Sequence, residues 1–556
     1  MLLEEEGYTP SAAFSATAPE VADAVRTTSI NDNSATAMEI AEILAAPGKD
    51  HMKHTLVVGL VIDALERDAD LYHEPLEDGF SPRCFLRFKQ NGRIVDLHAG
   101  SVVDDQLCGY GLLLKSPLLR TVAAHVSQHV RQQGHEAIVS IGPYYLAATN
   151  TWYMALDSIH AVKITSAGAE LVGNAIDGLL LLPAGQPIEI DIDAINASTL
   201  GMKVESDSAM GKFFAASYSS PTDLQIFSTR IIALLFPQIF DARSIIILGG
   251  EKGCGKSVLA EKAGLLIQGE RFRVSRLADK REDAEILFTS RTLVVLDNLD
   301  YPPTMKKYTD LLCQCVTGGG VEKRQLYSDN TILSFPYIAS LILTSIDLSG
   351  LKDTLADRSL IITLLPRPKT GNDDGNLRKW ALTRRNDVMT EMLGRVKNIL
   401  AALAAQATYK TEHTLRIHDF AQFLMRSAVH EGWAPKALDA LRIVFGVQRE
   451  EADANNTTLD LVRYFIGSSA TCSVPLPAAA LGLRLTEAAK ILGHEHNTEV
   501  RYGCYQIPGL IKKQLSLLKA MFGMRRERDA HTGNYEYWSF LQNPPAPVSA
   551  SAFEAF

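Results

Sequence analysis

The chain has 556 residues, 46% of them hydrophobic and 21% charged, with a formal net charge of −9 and seven scattered cysteines. That length allows about three or four domains, and the acidic balance excludes a protein whose whole outer surface coats duplex DNA, so any positive charge for nucleic acid must be local. No run of about 18 apolar residues suggests a membrane span. The acidic start MLLEEEGYTPS lacks the basic region and apolar core of a signal peptide. An odd cysteine count without CxxC spacing points to reduced thiols in a cytoplasm.

Residues 1–35 are rich in Ala, Ser, Thr and Glu without periodicity and read as a tail. Residues 36–205 read as an N-terminal α+β domain. TLVVGLVIDALERD has helical spacing, CFLRFKQNGRIVDLH reads as a hairpin turning at Asn91-Gly92, and SPLLRTVAAHVSQHVRQQG is a helix starting at Ser116-Pro117. AIVSIGPYYLAATNTWYMAL and HAVKITSAGAELV read as strands. Their aromatics Tyr144, Tyr145, Trp152 and Tyr153 are more naturally core than base-stacking platforms. The domain holds no carboxylate triplet or zinc-ligand set of a polymerising site, and no primer synthesis is expected.

Residues 206–370 alternate helix and apolar strand, as a parallel sheet requires. Strands are expected at 244–248, 293–296 and 341–343. Residues 371–465 read as helical. In 473–541, LTEAAKILGH and PGLIKKQLSLLKAMF read as helices and MRRERDAHTGNYEYWSFL as a hairpin, which together make a winged helix-turn-helix. Lys512 and Lys513 on its second helix and Arg525, Arg526 and Arg528 on its first wing strand are candidate DNA contacts. Residues 542–556 read as a Pro/Ala/Ser tail. His494 and His496 form an HxH pair without further ligands, more naturally a loop than a metal site. Cys313 and Cys315 read as packing.

The chemistry concentrates in GGEKGCGKSVLAEKAG, which matches GxxxxGK[ST] between the apolar strand SIIIL and an amphipathic helix, VLAEKAGLLI. Such a loop turns successive backbone N–H groups onto a β-phosphate. Gly250, Gly253, Cys254, Gly255, Lys256, Ser257 and Val258 are the candidates to hold ATP. Lys256 would reach the β/γ oxygens, and Ser257 would offer its hydroxyl to Mg²⁺. In TLVVLDNLD, four apolar residues end at Asp297, a carboxylate suited to hold Mg²⁺ through water. Asn298 stands where many ATPases place a water-orienting Glu. Asp300 and Glu285 are nearby alternatives in sequence.

Downstream, VEKRQLYS and TILSF read as a basic hairpin carrying Lys323 and Arg324. LILTS ends at Thr344, placed to sense a γ-phosphate. ADRS puts Arg358 before the last apolar strand, SLIITLLP, where an arginine finger for a neighbouring subunit would stand.

GGEKGCGKS, LDNLD, VTGGGVEKRQLYSD and LADRSLII, in that order, resemble the ATPase core of phage and mobile-element primase-helicase proteins, which are AAA+ motors close to superfamily 3 helicases. The resemblance is clearest over 240–365 and extends more weakly to RIHDFAQFL and WYMALDSIHAVKIT. It implies a P-loop AAA+ core in a homo-oligomer, a hexameric ring, with Lys256, Ser257 and Asp297 acting in cis and Arg358 in trans. The Lys323–Arg324 hairpin would move DNA, single-stranded in the channel and duplex at the winged helix. Relatives usually carry Asn where Thr344 stands, whereas the Asp297-Asn298 pair is common among them.

The expected function is ATP-driven DNA translocation or unwinding in replication of a phage, plasmid or integrative element. The alternatives are a regulatory AAA+ switch that unwinds nothing, for instance in host defence, and a small-molecule P-loop kinase.

Overall fold

The computed structural model describes residues 34–75, 82–98, 100–114, 116–277, 280–299, 302–324, 332–346, 353–366, 377–405, 417–454, 457–468, 473–492, 518, 524–528 and 536–540. Among these, no helix is long and apolar enough to cross a membrane.

The N-terminal part begins with helices Ser34–Ala45 and Asp50–Asp68, then strands β1 (Ala69–His73), β2 (Cys84–Phe88) and β3 (Ile94–Asp96). The β2–β3 turn falls at Asn91-Gly92 as expected, with Gly92 at φ +62°. Helix Pro117–Gln133 starts where Ser116 Oγ accepts the Leu119 N–H, a serine cap followed by proline at the first helical position. Strand β4 (His135–Glu136) completes a sheet of order β3-β2-β1-β4, whose apolar face packs under helices Asp50–Asp68 and Pro117–Gln133. Strand β5 (Ile138–Ile141) pairs in parallel with β10 (Leu179–Leu182), and β6 (Tyr144–Leu146), β7 (Thr151–Ala155), β8 (His160–Ile164) and β9 (Ala169–Gly173) form a meander. Trp152 and Tyr153 are core residues of that meander. The Trp152 indole N–H reaches the Leu235 carbonyl, and the Tyr153 hydroxyl reaches Asp177 at 2.6 Å.

The centre is a four-stranded parallel sheet of order β12-β15-β11-β16, formed by β11 (Ile245–Gly249), β12 (Leu293–Leu296), β15 (Ser340–Thr344) and β16 (Ser359–Thr363). Its strands are continuous apolar runs because both faces are covered. Ile246, Leu248, Leu293, Val295, Ile342, Leu360 and Ile362 enter one core, while Ile245, Ile247, Val294, Leu296, Leu341, Leu343 and Ile361 enter the other. This strict alternation pins the register, since a one-residue slip exchanges the two sets. Each such side chain, fully buried, contributes about 2 kcal/mol. Strands β13 (Gly320–Arg324) and β14 (Ile332–Pro336) form the expected antiparallel hairpin, with Lys323 opposite Leu333 and Arg324 opposite Ile332.

The helix after the phosphate loop, Lys256–Gln268, is not amphipathic. Leu259, Ala260, Ala263, Leu265, Leu266 and even Lys262 are buried, because the sheet lies on one side and helices Leu377–Thr383 and Arg385–Ala405 on the other. A side chain at Gly264 would collide with the Phe272 ring, 2.2 Å from an added Cβ.

Helices Arg385–Ala405, His418–His430 and Ala434–Ala454 follow as the sequence suggests. Packing crosses the expected boundary at residue 205: one hydrophobic core runs from Trp152 and Ile164 through Phe213 and Phe227 to Phe420 and Val444.

Near the C-terminus, helix Ala478–Ile491 packs with a sheet of order β17-β19-β18, built from β17 (Leu476–Pro477), β18 (Arg525–Arg528) and β19 (Glu536–Ser539). The wing-like hairpin is therefore present, with a short third strand that the sequence did not suggest. The expected second helix lies outside the described residues apart from Leu518, as do Lys512, Lys513, His494 and His496.

Three buried arginines tie distant segments together through main-chain carbonyls. Arg230 Nε donates to Ser244 O at 2.8 Å. Arg385 donates to Leu266 O, Pro187 O and Gln186 O at 3.0–3.1 Å. Arg395, 0% exposed, donates to Gly201 O and Lys203 O at 2.6 Å and pairs with Glu391 at 2.7 Å. Burial lowers the Arg230 guanidinium to about 9 and Arg385 to about 10.

In the N-terminal sheet, burial alone would raise the Asp96 carboxyl. Hydrogen bonds from His98 and the adjacent Arg83 guanidinium, 2.6 Å away, bring it down to about 2.

Two outcomes follow from these buried charges. Arg395→Ala leaves two carbonyls without the guanidinium and the Glu391 carboxylate with only the Met210 N–H, and is expected to cost about 3–5 kcal/mol in denaturant unfolding; a loss under about 1 kcal/mol would mean the contacts are incidental. Asp96, at about 2 when folded against 3.8 unfolded, contributes about 2 kcal/mol above pH 4, lost as pH falls through 4 towards 2. The stability difference between pH 5 and pH 2.5 should therefore shrink by most of that amount, about 1.5 kcal/mol, in Asp96→Asn.

Candidate nucleotide site

Because β11, β12 and β15 run in parallel, their carboxyl ends meet at one edge of the sheet. Leu248 is in register with Thr344 and Leu296 with Leu343. The residues that follow β11 form the glycine-rich loop. Gly250, Gly253 and Gly255 have φ of +130°, +84° and +97°, conformations that side chains resist. Gly250 is also confined by its neighbour, since an added Cβ would lie 2.3 Å from Leu364 O just beyond β16. The Leu364 N–H in turn donates to Gly249 O.

Lys256 opens the helix with its stem buried. Its ammonium donates to Gly250 O at 2.7 Å and Glu251 O at 2.9 Å, with the buried Cys254 Sγ at 3.7 Å. Ser257 is exposed and its hydroxyl donates to Asp297 Oδ1 at 2.8 Å. Val258, also in this first turn, is half-buried.

Asp297 directly follows β12. Its N–H donates to Ser275 O, and Ser275 makes an isolated parallel bridge beside Leu296. That contact was missed in the sequence, although RFRVS carries a short extended pattern that fits it. Oδ1 of Asp297 accepts a second hydrogen bond, from the Thr344 hydroxyl. Asn298 is exposed and left-handed, at φ +59°.

A hydroxyl and a carboxylate oxygen 2.8 Å apart at a solvent-facing edge form a hard oxygen pair of the kind that Mg²⁺ takes alongside water and phosphate. The residues present therefore fit the ion. Ser257 and Asp297 would hold it.

The sheet separates the other candidates from this edge. Arg358 precedes β16 at the amino end of the sheet, where its carbonyl accepts the Ile245 N–H. A full strand, about 15 Å, separates it from the loop. It is half-buried and its guanidinium donates to Thr354 O at 2.6 Å. The Lys323–Arg324 hairpin emerges at the same amino edge, where the Tyr337 N–H meets Gly319 O and Arg243 Nη1 donates to Tyr337 O at 3.1 Å.

Glu285 is also remote from the loop. It pairs with Arg281 at 2.8 Å, on a helix whose Phe288 O accepts the Ile338 N–H at the amino edge, so it cannot serve the phosphate site of its own chain. Asp300 lies outside the described residues. Cys315 is buried in helix Pro302–Val316, its thiol pushed up to about 12 by burial, as suits packing. Arg525, Arg526 and Arg528 share strand β18, with Arg525 exposed.

The confinement of Gly250 has a direct consequence. Gly250→Ala should displace the loop, weaken binding of a fluorescent ATP analogue about tenfold or more, and cost about 1–3 kcal/mol of stability from the main-chain clash; unchanged binding would show that the loop tolerates the shift.

Residues 225–446 match the family model described as Actinomycete integrative conjugative element replication protein, a span covering both the loop and the helices after the sheet. No curated protein sequence matches. Among solved structures, the NrS-1 C terminal region in its A form is similar at 10% identity and a TM-score of 0.39, covering 86% of this chain and 97% of that one. A second structure of that region, residues 305–718, gives 11% and 0.38 over 86% and 97%. A JCV helicase bound to a small molecule gives 16% and 0.20 over 44% and 63%. Superpositions this loose do not bear on the chemistry.

Proposed function

We propose that this chain is an ATP-driven DNA translocase or helicase that works as a homo-oligomeric ring, a hexamer, in replication of an integrative mobile element. The observation that carries the reading is the division of labour across one sheet. The phosphate loop, Ser257 and Asp297 occupy the carboxyl edge. Arg358 and the basic hairpin occupy the amino edge, out of reach of their own loop. Each pocket then needs a neighbouring subunit to supply a guanidinium, and the hairpins gather towards a common axis. The match to a replication-protein family model supports the biological setting.

In this mechanism the loop's N–H groups and Lys256 grip the triphosphate. Lys256 exchanges its two carbonyl contacts for phosphate oxygens. Ser257 and Asp297 would hold Mg²⁺, which would supply charge neutralisation to the triphosphate. Water attacks the γ-phosphorus in line, and Arg358 of the adjacent subunit stabilises the developing charge. Lys323 and Arg324 contact DNA phosphates in the channel, and the Arg525–Arg528 strand contacts duplex through its backbone.

Asn298 favours one second reading. An amide orients water but takes no proton, which suits a slow regulatory switch that assembles on DNA without unwinding it.

Steady-state ATPase measurements separate the two. A motor is stimulated severalfold by single-stranded DNA, and Lys323→Ala/Arg324→Ala abolishes the stimulation. Arg358→Ala and Lys256→Ala should each be inactive alone and recover activity when mixed, because mixed rings contain interfaces with both groups intact. Indifference to DNA supports the switch. An Arg358→Ala protein with full turnover removes the shared-pocket mechanism.

A further inference from the structure

Thr344 stands where a γ-phosphate sensor is expected, yet its hydroxyl is committed elsewhere. The residue is 1% exposed at the end of the central strand β15. A threonine hydroxyl has one proton to give, and here it goes to Asp297 Oδ1. Its oxygen accepts the Asn298 N–H at 3.1 Å. The Thr344 carbonyl accepts the Leu299 N–H at 3.0 Å. Three successive residues of the loop after β12 are thus strapped to one residue of β15.

The strap has opposite effects on its last two members. Leu299 is drawn into the core, whereas Asn298 is turned to solvent in a left-handed conformation. Asn is among the few L-residues that adopt this region readily. Ser257 donates to the same Asp297 oxygen, so two hydroxyls from separate elements fix one carboxylate.

The geometry points to Thr344 as a positioning residue that aims Asp297 and turns Asn298 outward, leaving the Asn298 amide as the group that meets the γ-phosphate and the attacking water. This rests on the nucleotide site proposed above. An amide suits the task chemically. Its NH₂ donates to a phosphate oxygen, and its carbonyl accepts from a water without deprotonating it.

The test uses the full chain and a fluorescent, non-hydrolysable ATP analogue, with Mg²⁺ titrated. Thr344→Val keeps the shape and removes the hydroxyl. It should need about tenfold more Mg²⁺ for half-maximal binding, with binding in EDTA unchanged. Thr344→Ser should restore the normal Mg²⁺ dependence. Asn298→Ala should bind the Mg²⁺–analogue normally and lose about tenfold or more in ATP turnover.

A Thr344→Val protein with normal Mg²⁺ dependence overturns the inference, as does one that binds the analogue more weakly in EDTA as well. A Thr344→Ser protein no better than Thr344→Val indicates a packing role and overturns it too, as does normal turnover in Asn298→Ala. Lys256→Ala is the control for the site itself. If it binds the analogue like the unmodified chain, the nucleotide site fails and the inference falls with it. If it loses binding while Thr344→Val behaves normally, only the inference fails.

Discussion

Parallel alignment of β11, β15 and β12 is the constraint on which the candidate site hangs. Hydrogen bonding in a parallel ladder sends every carboxyl end to the same edge. That geometry delivers the glycine loop, Thr344 and Asp297 within contact of one another, although 40 residues separate Ser257 from Asp297 and 47 separate Thr344 from it. Hydrophobic alternation fixes the register of that ladder. Ile245 and Ile247 face one core while Ile246 and Leu248 face the other, and β12 and β15 repeat that division. A polar site is thus held in register by side chains that never touch it.

What surrounds the sheet is fastened differently. The segment between β10 and the sheet crosses beneath helix Arg385–Ala405 and exposes main-chain carbonyls to the interior. Buried carbonyls require donors, and the guanidiniums of Arg385 and Arg395 supply them. Arg385 also reaches the last carbonyls of helix Lys256–Gln268, where a cation is favoured by the helix dipole. The helix that begins at the phosphate loop is therefore anchored at its far end by the C-terminal helices. This is why one core extends across residues that composition and punctuation divide into three.

The legible part of the sequence was the part written in local signals. Glycines at fixed spacing after an apolar strand marked the loop, and four apolar residues ending in Asp297 marked its partner. Asn91-Gly92 and Ser116-Pro117 marked a turn and a helix start, each a preference set by its own backbone. Features that depend on a spatial neighbour were not legible. VLAEKAGLLI has the spacing of a one-sided helix, yet packing buries it on most sides. Glu285 is close to Asp297 in sequence, but its helix carries it to the other edge of the sheet. The strand-like contact of Ser275 is too short to register as periodicity. The partner of the Thr344 hydroxyl is decided across two strands, and no spacing along the chain encodes it.

The left-handed backbone at Asn298 also bears on how this site can change over evolutionary time. A glutamate there would bring a carboxylate to the pocket mouth, but it would have to hold a positive φ at a cost of about 1–2 kcal/mol. Released from that conformation, the peptide would swing its N–H away from Thr344. A proton-accepting side chain at this position therefore demands a new backbone path for the loop as well as a new residue, because the present path is fixed by the hydrogen bond to Thr344.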